Sequence, residues 1–274
     1  MLTFNVYDRV FFIHAAEYGT AFTLDRGRRQ YVVTARHIFG EDPARRSIKF
    51  FHEKQWKSLA VQVVGIGIGE IDIAVLAPNM QLSPEHSLEP SIGGFVLGQD
   101  MFFVGYPFKM WADGGPMMCG RPLPFVKKGT LSAFETLGDP KILWIDAINN
   151  EGFSGDPLVF QSNLPNEFKI AGVVSKYRIA EEPVLDAECK PTGLHVEYHA
   201  GFLLAYSIKH VTDLIDRNPT GFPLPSQRSR VAGCYRLRRP QSAGSVPLGG
   251  LAAESETRIV ARPLLLRKTS RGPG

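Results

Sequence analysis

One stretch of the sequence combines a hydroxyl group with a backbone that can turn sharply. Residues 149–160 read NNEGFSGDPLVF, a Gly-x-Ser-Gly-x-Pro pattern in which Ser154 lies between Gly152 and Gly155 and is followed by an apolar run. Glycines beside a serine let main-chain N–H groups converge on the space above its side chain, where they can stabilise an oxyanion. A Ser-Gly pair is also compatible with a polar turn before an ordinary strand. The role of Ser154 therefore depends on a base and an acid elsewhere in the chain.

Two residues of the required types occur earlier, each beside a β-like apolar run. His37 follows the run VVT, and Asp72 lies in the segment IDIAVL. A serine hydroxyl needs a general base within hydrogen-bond reach, and an imidazole base needs a carboxylate that fixes its tautomer. Taken singly, His37 is compatible with a structural histidine and Asp72 with an acid facing water at a strand end. Together with Ser154 they predict a triad in the chain order of the two-barrel serine proteases.

Two other motifs are not predicted to bind ligands. The alternating glycines of residues 65–70, GIGIGE, lack the G-x-G-x-x-G spacing and a following amphipathic helix, so they predict a turn or bulge instead of a phosphate loop. Cys189, His195 and His199 are possible metal ligands, but their spacing matches no dependable zinc pattern. We therefore expect no metal and no cofactor.

The composition favours β structure with many turns. The chain has 274 residues, 44% of them hydrophobic, with 27 glycines and 20 prolines between short apolar runs. An acidic insertion at residues 181–199 interrupts the pattern, and a helix capped by Ser207 is predicted over residues 208–215. Strands are predicted at residues 4–13, 19–24, 31–34, 47–51, 59–64, 71–76, 95–97, 101–106, 129–134, 142–145, 158–160, 170–175 and 201–206.

The two ends of the chain suggest where the protein works. The N-terminus lacks a basic, apolar signal pattern, no segment reaches the ~18 apolar residues of a membrane span, and the three cysteines are widely spaced. These features predict a cytoplasmic protein without a disulfide framework or a membrane partner.

Residues 226–274 contain ten Lys and Arg against two Glu, a net charge of +8, and we expect this tail to be disordered. It has no recognisable nucleic-acid motif, so nucleic acid is not an expected partner.

Eight segments in the same order resemble a known family. They are GTAFTL, VVTARHIF, DIAVL, GYP, KKGTLSAF, DAINNEGFSGDPLVF, IAGVVS and AYSIKHV. Over residues 19–215 the chain resembles the trypsin-like peptidase domain of the chymotrypsin clan, closest to the bacterial HtrA-like branch. The resemblance implies an all-β fold of two six-stranded antiparallel Greek-key barrels with a short C-terminal helix. The corresponding domains are residues 1–90, 91–225 and the tail 226–274.

The resemblance also implies a role for each residue of the site. His37 would be the base, Asp72 its orienting acid and Ser154 the nucleophile, and the N–H groups of Gly152 and Ser154 would form the oxyanion hole. The implied activity is that of a serine endopeptidase that cleaves protein or peptide substrates through an acyl-enzyme. Esterase or other acyl transfer uses the same chemistry and stays open.

The resemblance further implies a pocket for the residue before the scissile bond. Ser175 would lie beside the Asp and the substrate backbone, Lys176 and Tyr177 would flank the pocket, and Ile148 would lie near its base. An apolar residue at position 148 favours small or medium apolar substrate side chains over Arg or Lys.

The nucleophile segment departs from the family pattern at two positions. Asp156 replaces the usual second glycine after the serine, and Phe153 replaces a small or polar residue. A carboxylate at position 156 could oppose a developing negative charge or could point outward as a turn acceptor. A catalytically silent protease-fold binding or scaffold module is therefore the alternative function.

Overall fold

Two antiparallel sheets carry most of the strands in the computed structural model, which describes residues 2–84, 88–135, 141–225 and 267–268. In chain order the strands are β1 (Val10–His14), β2 (Tyr18–Arg26), β3 (Arg29–Thr34), β4 (Ser47–His52), β5 (Gln55–Ile66), β6 (Ala74–Pro78), β7 (Glu89–Pro90), β8 (Asp100–Gly105), β9 (Ala112–Asp113), β10 (Pro122–Leu123), β11 (Phe125–Phe134), β12 (Ile142–Asp146), β13 (Pro157–Gln161), β14 (Phe168–Leu185), β15 (Pro191–Ser207), β16 (Phe222–Pro223) and β17 (Arg267–Lys268).

Strands β1 to β6 form the first barrel. They pair in the order β3-β2-β1-β4-β5-β6, and the antiparallel pairing of β3 with β6 closes the sheet. Positive φ angles at Gly27 and Arg28 allow the tight hairpin between β2 and β3. The register shift between Val63 and Gly65 is a bulge in β5, as the glycine pattern predicts.

The second barrel uses strands β8 and β11 to β15. They pair in the order β15-β12-β11-β8-β13-β14, and β14 also pairs with β15. Strand β7 runs parallel to β14, β9 pairs with β10, β16 pairs with β3, and β17 pairs with β15. The predicted all-β architecture of two barrels is confirmed.

In the part of the chain that the structure describes, three short helices accompany the sheets: α1 (Phe4–Tyr7), α2 (Arg36–Phe39) and α3 (Ile208–Arg217). Helix α3 matches the predicted C-terminal helix. The Ser207 hydroxyl accepts a hydrogen bond from the N–H of Lys209, and Ile208, Val211 and Ile215 are buried. Two 3₁₀ turns, Pro107–Lys109 and Gly115–Met118, lie in the connection between β8 and β11.

Three local expectations are wrong. Residues 4–13 are not one strand, because α1 precedes β1 and only Val6 of its four residues is buried. Residues 95–97 form no strand: the half-buried Phe95 packs edge-on against Phe134 and Phe160, whereas Val96 and Leu97 are exposed. Residues 181–199 do not interrupt the sheet pattern, because β14 and β15 extend through them.

The packing divides the chain into two compact units. Among the described residues, one unit contains residues 2–178 and 199–225, apart from the gaps given above, and the other contains residues 179–198 and 267–268. In the first unit one core cluster includes Phe12 and Val33 of the first barrel together with Val104 and Val159 of the second. The two barrels are therefore packed against each other. The division into domains at residues 1–90 and 91–225 stays a prediction.

Some expectations concern parts of the chain that are only partly described. The predicted disorder of the tail falls on residues 226–274, which lie outside the described part apart from β17. Cys189 is a free, exposed thiol and Cys119 is disulfide-bonded. The cytoplasmic location stays a prediction. Among the described residues, no helix has the length and apolar character required to cross a membrane.

Candidate active site

Pairing between β3 and β6 brings His37 and Asp72 together. Thr34 lies opposite Ala74 in that pair; His37 follows β3 on α2, and Asp72 precedes β6. The Nδ1 atom of His37 lies 2.6 Å from Oδ2 of Asp72, and the backbone N–H of His37 donates to Oδ1 over 2.9 Å. Two contacts to one carboxylate fix both the position and the ring orientation of the histidine.

The carboxylate of Asp72 is buried and well supplied with donors. Asp72 is 2% exposed, and the Ser175 hydroxyl donates to its Oδ2 atom over 2.5 Å. Burial raises the pKa of Asp72, but the hydrogen bond and charge of His37 and the hydrogen bond of Ser175 outweigh it and lower the pKa to about 2. Asp72 is therefore ionised at neutral pH.

The glycine segment before Asp72 is held from the helix that carries His37. The guanidinium of Arg36 donates to the carbonyl oxygens of Gly67 and Gly69, each over 2.9 Å. A side chain at position 67 would collide with the Ile71 carbonyl, so glycine is required for this close approach. The segment acts as a structural turn that positions Asp72.

Ser154 lies on a tight loop between β12 and β13. Gly152 has a φ of +103° and Gly155 a φ of +88°, and a side chain at position 155 would collide with the carbonyl oxygen of Thr20. Both glycines are thus required by backbone conformation, as the sequence pattern predicts. The Ser154 side chain is half-buried.

Ser175 connects Ser154 to Asp72. The Ser154 hydroxyl donates to the carbonyl oxygen of Ser175 over 2.9 Å, while the Ser175 hydroxyl donates to Asp72. Within the described residues Ser154 makes no hydrogen bond to His37. The structure thus brings the three predicted residues around Ser175, with the Ser154 hydroxyl directed at the Ser175 carbonyl.

The peptide before Gly152 has a defined orientation. The Glu151 carbonyl accepts a hydrogen bond of 2.7 Å from the N–H of Phe108. Because C=O and N–H point in opposite directions across a trans peptide, the Gly152 N–H faces away from Phe108. Neither this N–H nor that of Ser154 has a hydrogen-bond partner in the described part of the chain. Both groups are left to receive an acceptor.

Thr20 of β2 ties the loop down on both sides of Ser154. Its hydroxyl donates to the Gly152 carbonyl over 3.0 Å and accepts from the Tyr106 N–H over 3.3 Å. Its backbone N–H donates to the Ser154 carbonyl over 3.0 Å. Thr20 is wholly buried, so these bonds do not compete with water. A residue of the first barrel thereby holds the Ser154 loop of the second.

Asp156 points into the protein. Asp156 has no exposed surface, and its carboxyl group fills the space that a side chain at Gly105 would need. Neither carboxyl oxygen has a hydrogen-bond partner among the described residues, because the nearby Thr20 hydroxyl already donates to Gly152. Burial raises the pKa of Asp156 well above its usual range, so the neutral acid is favoured. A neutral group does not oppose an oxyanion.

A histidine joins the two segments that carry the predicted pocket residues. The His199 ring stacks on Tyr177 at 4.7 Å between ring centroids, and its Nε2 lies 3.0 Å from the Asn149 N–H. Ile148 is 64% exposed beside this contact, and Lys176 is exposed next to Tyr177. The segments 148–150 and 175–177 therefore lie next to each other.

Lys127 of β11 contacts the same segment from another side. Its ammonium group donates to the Ile148 carbonyl and, over 2.6 Å, to Oδ1 of Asn150.

Cys189, His195 and His199 do not come together, and no group of three metal-ligating side chains occurs within the described residues.

Comparison with known proteins identifies the family. The family model of the trypsin-like peptidase domain matches residues 19–163, more than half of the chain. The chain belongs to this family. The matched region contains His37, Asp72 and Ser154. No curated protein shows significant sequence similarity.

Solved proteases share the fold of this trypsin-like peptidase domain at low identity. The active form of the Rv3671c protease from M. tuberculosis superposes with a TM-score of 0.51 at 18% identity, covering 81% of this chain and 85% of that one. Its inactive form gives 0.50 at 16% identity over 78% and 90%. The serine endoprotease from Yersinia pestis gives 0.50 at 17% identity over 79% and 66%. These structures support the resemblance stated from the sequence.

Sequence reasoning missed three residues of the site. Thr20 lies in the segment GTAFTL, but a lone threonine gives no sign of a contact to Gly152 far along the chain. The sequence around His199 suggests only a possible metal ligand. Lys127 lies in the segment KKGTLSAF, where nothing in the sequence distinguishes it from its neighbour Lys128.

Proposed function

We propose that the protein is a serine endopeptidase that hydrolyses peptide bonds through an acyl-enzyme. The observation that carries this proposal is the buried Asp72 carboxylate 2.6 Å from Nδ1 of His37, in a chain of the trypsin-like peptidase family. His37 is the general base, Asp72 its orienting acid and Ser154 the nucleophile.

The proposed reaction begins with rotation of the Ser154 hydroxyl from Ser175 to Nε2 of His37. The ionised Asp72 accepts a hydrogen bond from the Nδ1–H group of His37, which leaves Nε2 unprotonated and able to accept a proton. The serine oxygen attacks the substrate carbonyl carbon as its proton moves to Nε2. That proton then passes to the leaving amine as the peptide bond breaks, and a water molecule activated in the same way hydrolyses the acyl-enzyme.

The oxyanion of the tetrahedral intermediate is assigned to the N–H groups of Gly152 and Ser154. Both groups lack a partner among the described residues, and the contacts of Phe108 and Thr20 hold the flanking peptides. Donors that are oriented before the reaction lower the barrier because no reorganisation accompanies charge development. Loss of one such donor typically costs about 10²- to 10³-fold in rate.

Protein or peptide chains are the proposed substrates. The segment from the buried Ser175 to the exposed Lys176 and Tyr177 would accept the substrate backbone, and Ile148 would lie near the pocket for the side chain before the scissile bond.

A fluorophosphonate probe tests the nucleophile assignment. We expect the wild-type protein to be labelled, and labelling to be lost in Ser154→Ala and strongly reduced in His37→Ala. Ser132→Ala removes another serine hydroxyl, exposed on β11, and should be labelled like the wild type. Labelling that persists in Ser154→Ala would exclude Ser154 as the nucleophile.

A protease-fold binding module is the second candidate. The observation in its favour is the Ser154 hydroxyl, which donates to Ser175 in place of His37. For such a module, folded wild-type protein would show no labelling and no peptide cleavage, while extended peptides would still bind.

A further inference from the structure

The loop that leads to Ser154 is held by a cation without a carboxylate partner. The Lys127 ammonium contacts two neutral oxygens, the Ile148 carbonyl and Oδ1 of Asn150, and lies 5.6 Å from the centre of the Phe153 ring. Among the described residues no carboxylate lies within ion-pair distance of it. Asp146 and Glu151 flank the loop, but both are exposed and neither makes an ion pair with a described residue.

The surroundings of Lys127 make this charge unusual. The side chain is partly buried, and desolvation lowers its pKa. A desolvated ammonium group is most stable beside an anion, and neutral oxygens satisfy its N–H groups without balancing its charge. The adjacent Lys128 differs, because it is exposed and pairs with Asp100 over 2.8 Å. Of two neighbouring lysines, only the inward one lacks an acid.

His199 does not share this role. Burial, followed by the charge of Lys127, lowers the pKa of His199, so its neutral form is favoured. A backbone N–H faces each ring nitrogen, from Asn149 at 3.0 Å and from Gly201 at 2.9 Å. The ring is therefore occupied by backbone contacts, and Lys127 is the source of positive charge at this loop.

We propose that Lys127 determines specificity by selecting substrates with a carboxylate side chain, Glu or Asp, immediately before the scissile bond. This inference rests on the proposed function, in which Ile148 and residues 175–177 border that pocket. Lys127 contacts the Ile148 carbonyl, and His199 joins Asn149 to Tyr177, so the ammonium lies beside the segment that forms the pocket base. The proposal replaces the apolar preference expected from Ile148 alone, because that expectation considered only the side chain at position 148.

Binding of product-like peptides tests the proposal without requiring catalysis. Peptides that end in Glu, Asp, Gln, Leu or Lys are titrated into the Ser154→Ala protein, and binding is followed by fluorescence anisotropy. All of them carry the same terminal carboxylate, so only the side chain differs. We expect the peptide ending in Glu or Asp to bind about 10-fold or more tightly than that ending in Gln, the size typical of a hydrogen bond to a charged group.

Variants of the two lysines assign the effect to one position. In the Ser154→Ala background, Lys127→Met should abolish the preference for acidic over neutral side chains, whereas Lys128→Met should preserve it. Asn150→Asp keeps the lysine and places a carboxylate beside its ammonium group, so this variant should also abolish the preference for acidic side chains. It replaces Lys127→Met if that variant fails to fold.

Equal binding of Glu and Gln peptides, or a preference that survives in both Lys127→Met and Asn150→Asp, would overturn the proposal. A preference lost equally in Lys128→Met would also overturn it, because the effect would then reflect general charge. Fluorophosphonate labelling of the wild type separates this result from the proposed function. Labelled protein without acidic preference refutes only the role of Lys127, and acidic preference without labelling refutes only the peptidase activity.

Discussion

The hydroxyl of Thr20 donates a hydrogen bond of 3.0 Å to the carbonyl oxygen of Gly152, across 132 residues of sequence. The bond joins β2 of the first barrel to the Ser154 loop of the second. It fixes the peptide that follows Gly152, while the bond between the Phe108 N–H and the Glu151 carbonyl fixes the preceding peptide. The Gly152 N–H, a proposed oxyanion donor, thus belongs to one anchored peptide and is followed by another.

Replacing Thr20 with valine tests this anchoring. Thr20→Val keeps the shape of the side chain but removes the donor to Gly152 and the acceptor for the Tyr106 N–H. We expect kcat to fall by roughly 10²-fold with little change in KM, because an oxyanion donor acts mainly in the transition state. Thr20→Ser retains the hydroxyl and should recover most of the activity. Equal losses in the two variants would instead indicate a packing effect.

Replacing Asp156 with asparagine tests its burial as a neutral acid. A folded-state pKa above the unfolded value means that the native protein holds the extra proton, so stability decreases as pH rises above about 4. Asp156→Asn cannot ionise, and its stability relative to the wild type should increase with pH by up to about 1.4 kcal/mol per pH unit. Chemical denaturation at several pH values measures this difference. Asp146→Asn makes the same substitution at an exposed carboxylate and is the matched control.

Asp72 should have the opposite dependence on pH. Its pKa of about 2 lies below the ordinary 3.8, so its contribution to stability is present above about pH 4 and is lost as pH falls through about 2. In Asp72→Asn the acid-induced loss of stability should be smaller by about 2 kcal/mol. The same variant should lower kcat by about 10⁴-fold, because His37 loses the partner that fixes its tautomer. An unchanged acid transition would mean that the carboxylate is not stabilised in the folded protein.

Two glycine variants separate backbone strain from collision. Gly27 and Gly155 both have positive φ, but a side chain at position 27 meets open space, whereas one at position 155 meets the carbonyl of Thr20. Gly27→Ala should therefore cost about 1–2 kcal/mol in the free energy of unfolding, the usual penalty for a left-handed residue. Gly155→Ala should cost more and abolish activity. Similar costs at the two positions would show that the loop can shift to make room.

The sequence identified the candidate site because its residues carry local signals. His37, Asp72 and Ser154 have rare combinations of type and position beside apolar runs, and alternation located most strands. The sequence contains no signal for the orientation of Asp156, because an acid after a turn can be buried or exposed. The space beside Gly105 that receives it exists only once the barrels have folded. Residues 181–199 were missed as strands because they are mostly exposed polar residues, which pair through their backbones without an apolar pattern.

The position of Thr20 has a mechanical consequence. Its bonds to the carbonyls of Gly152 and Ser154 cross the contact between the barrels, and hydrogen bonds weaken within a few tenths of an ångström of displacement. A small displacement of one barrel against the other would disorganise the loop, while the secondary structure of both sheets, measured by circular dichroism, would be unchanged. Under mild denaturant, catalytic turnover should therefore disappear before secondary structure does, which makes turnover the more sensitive gauge of barrel alignment.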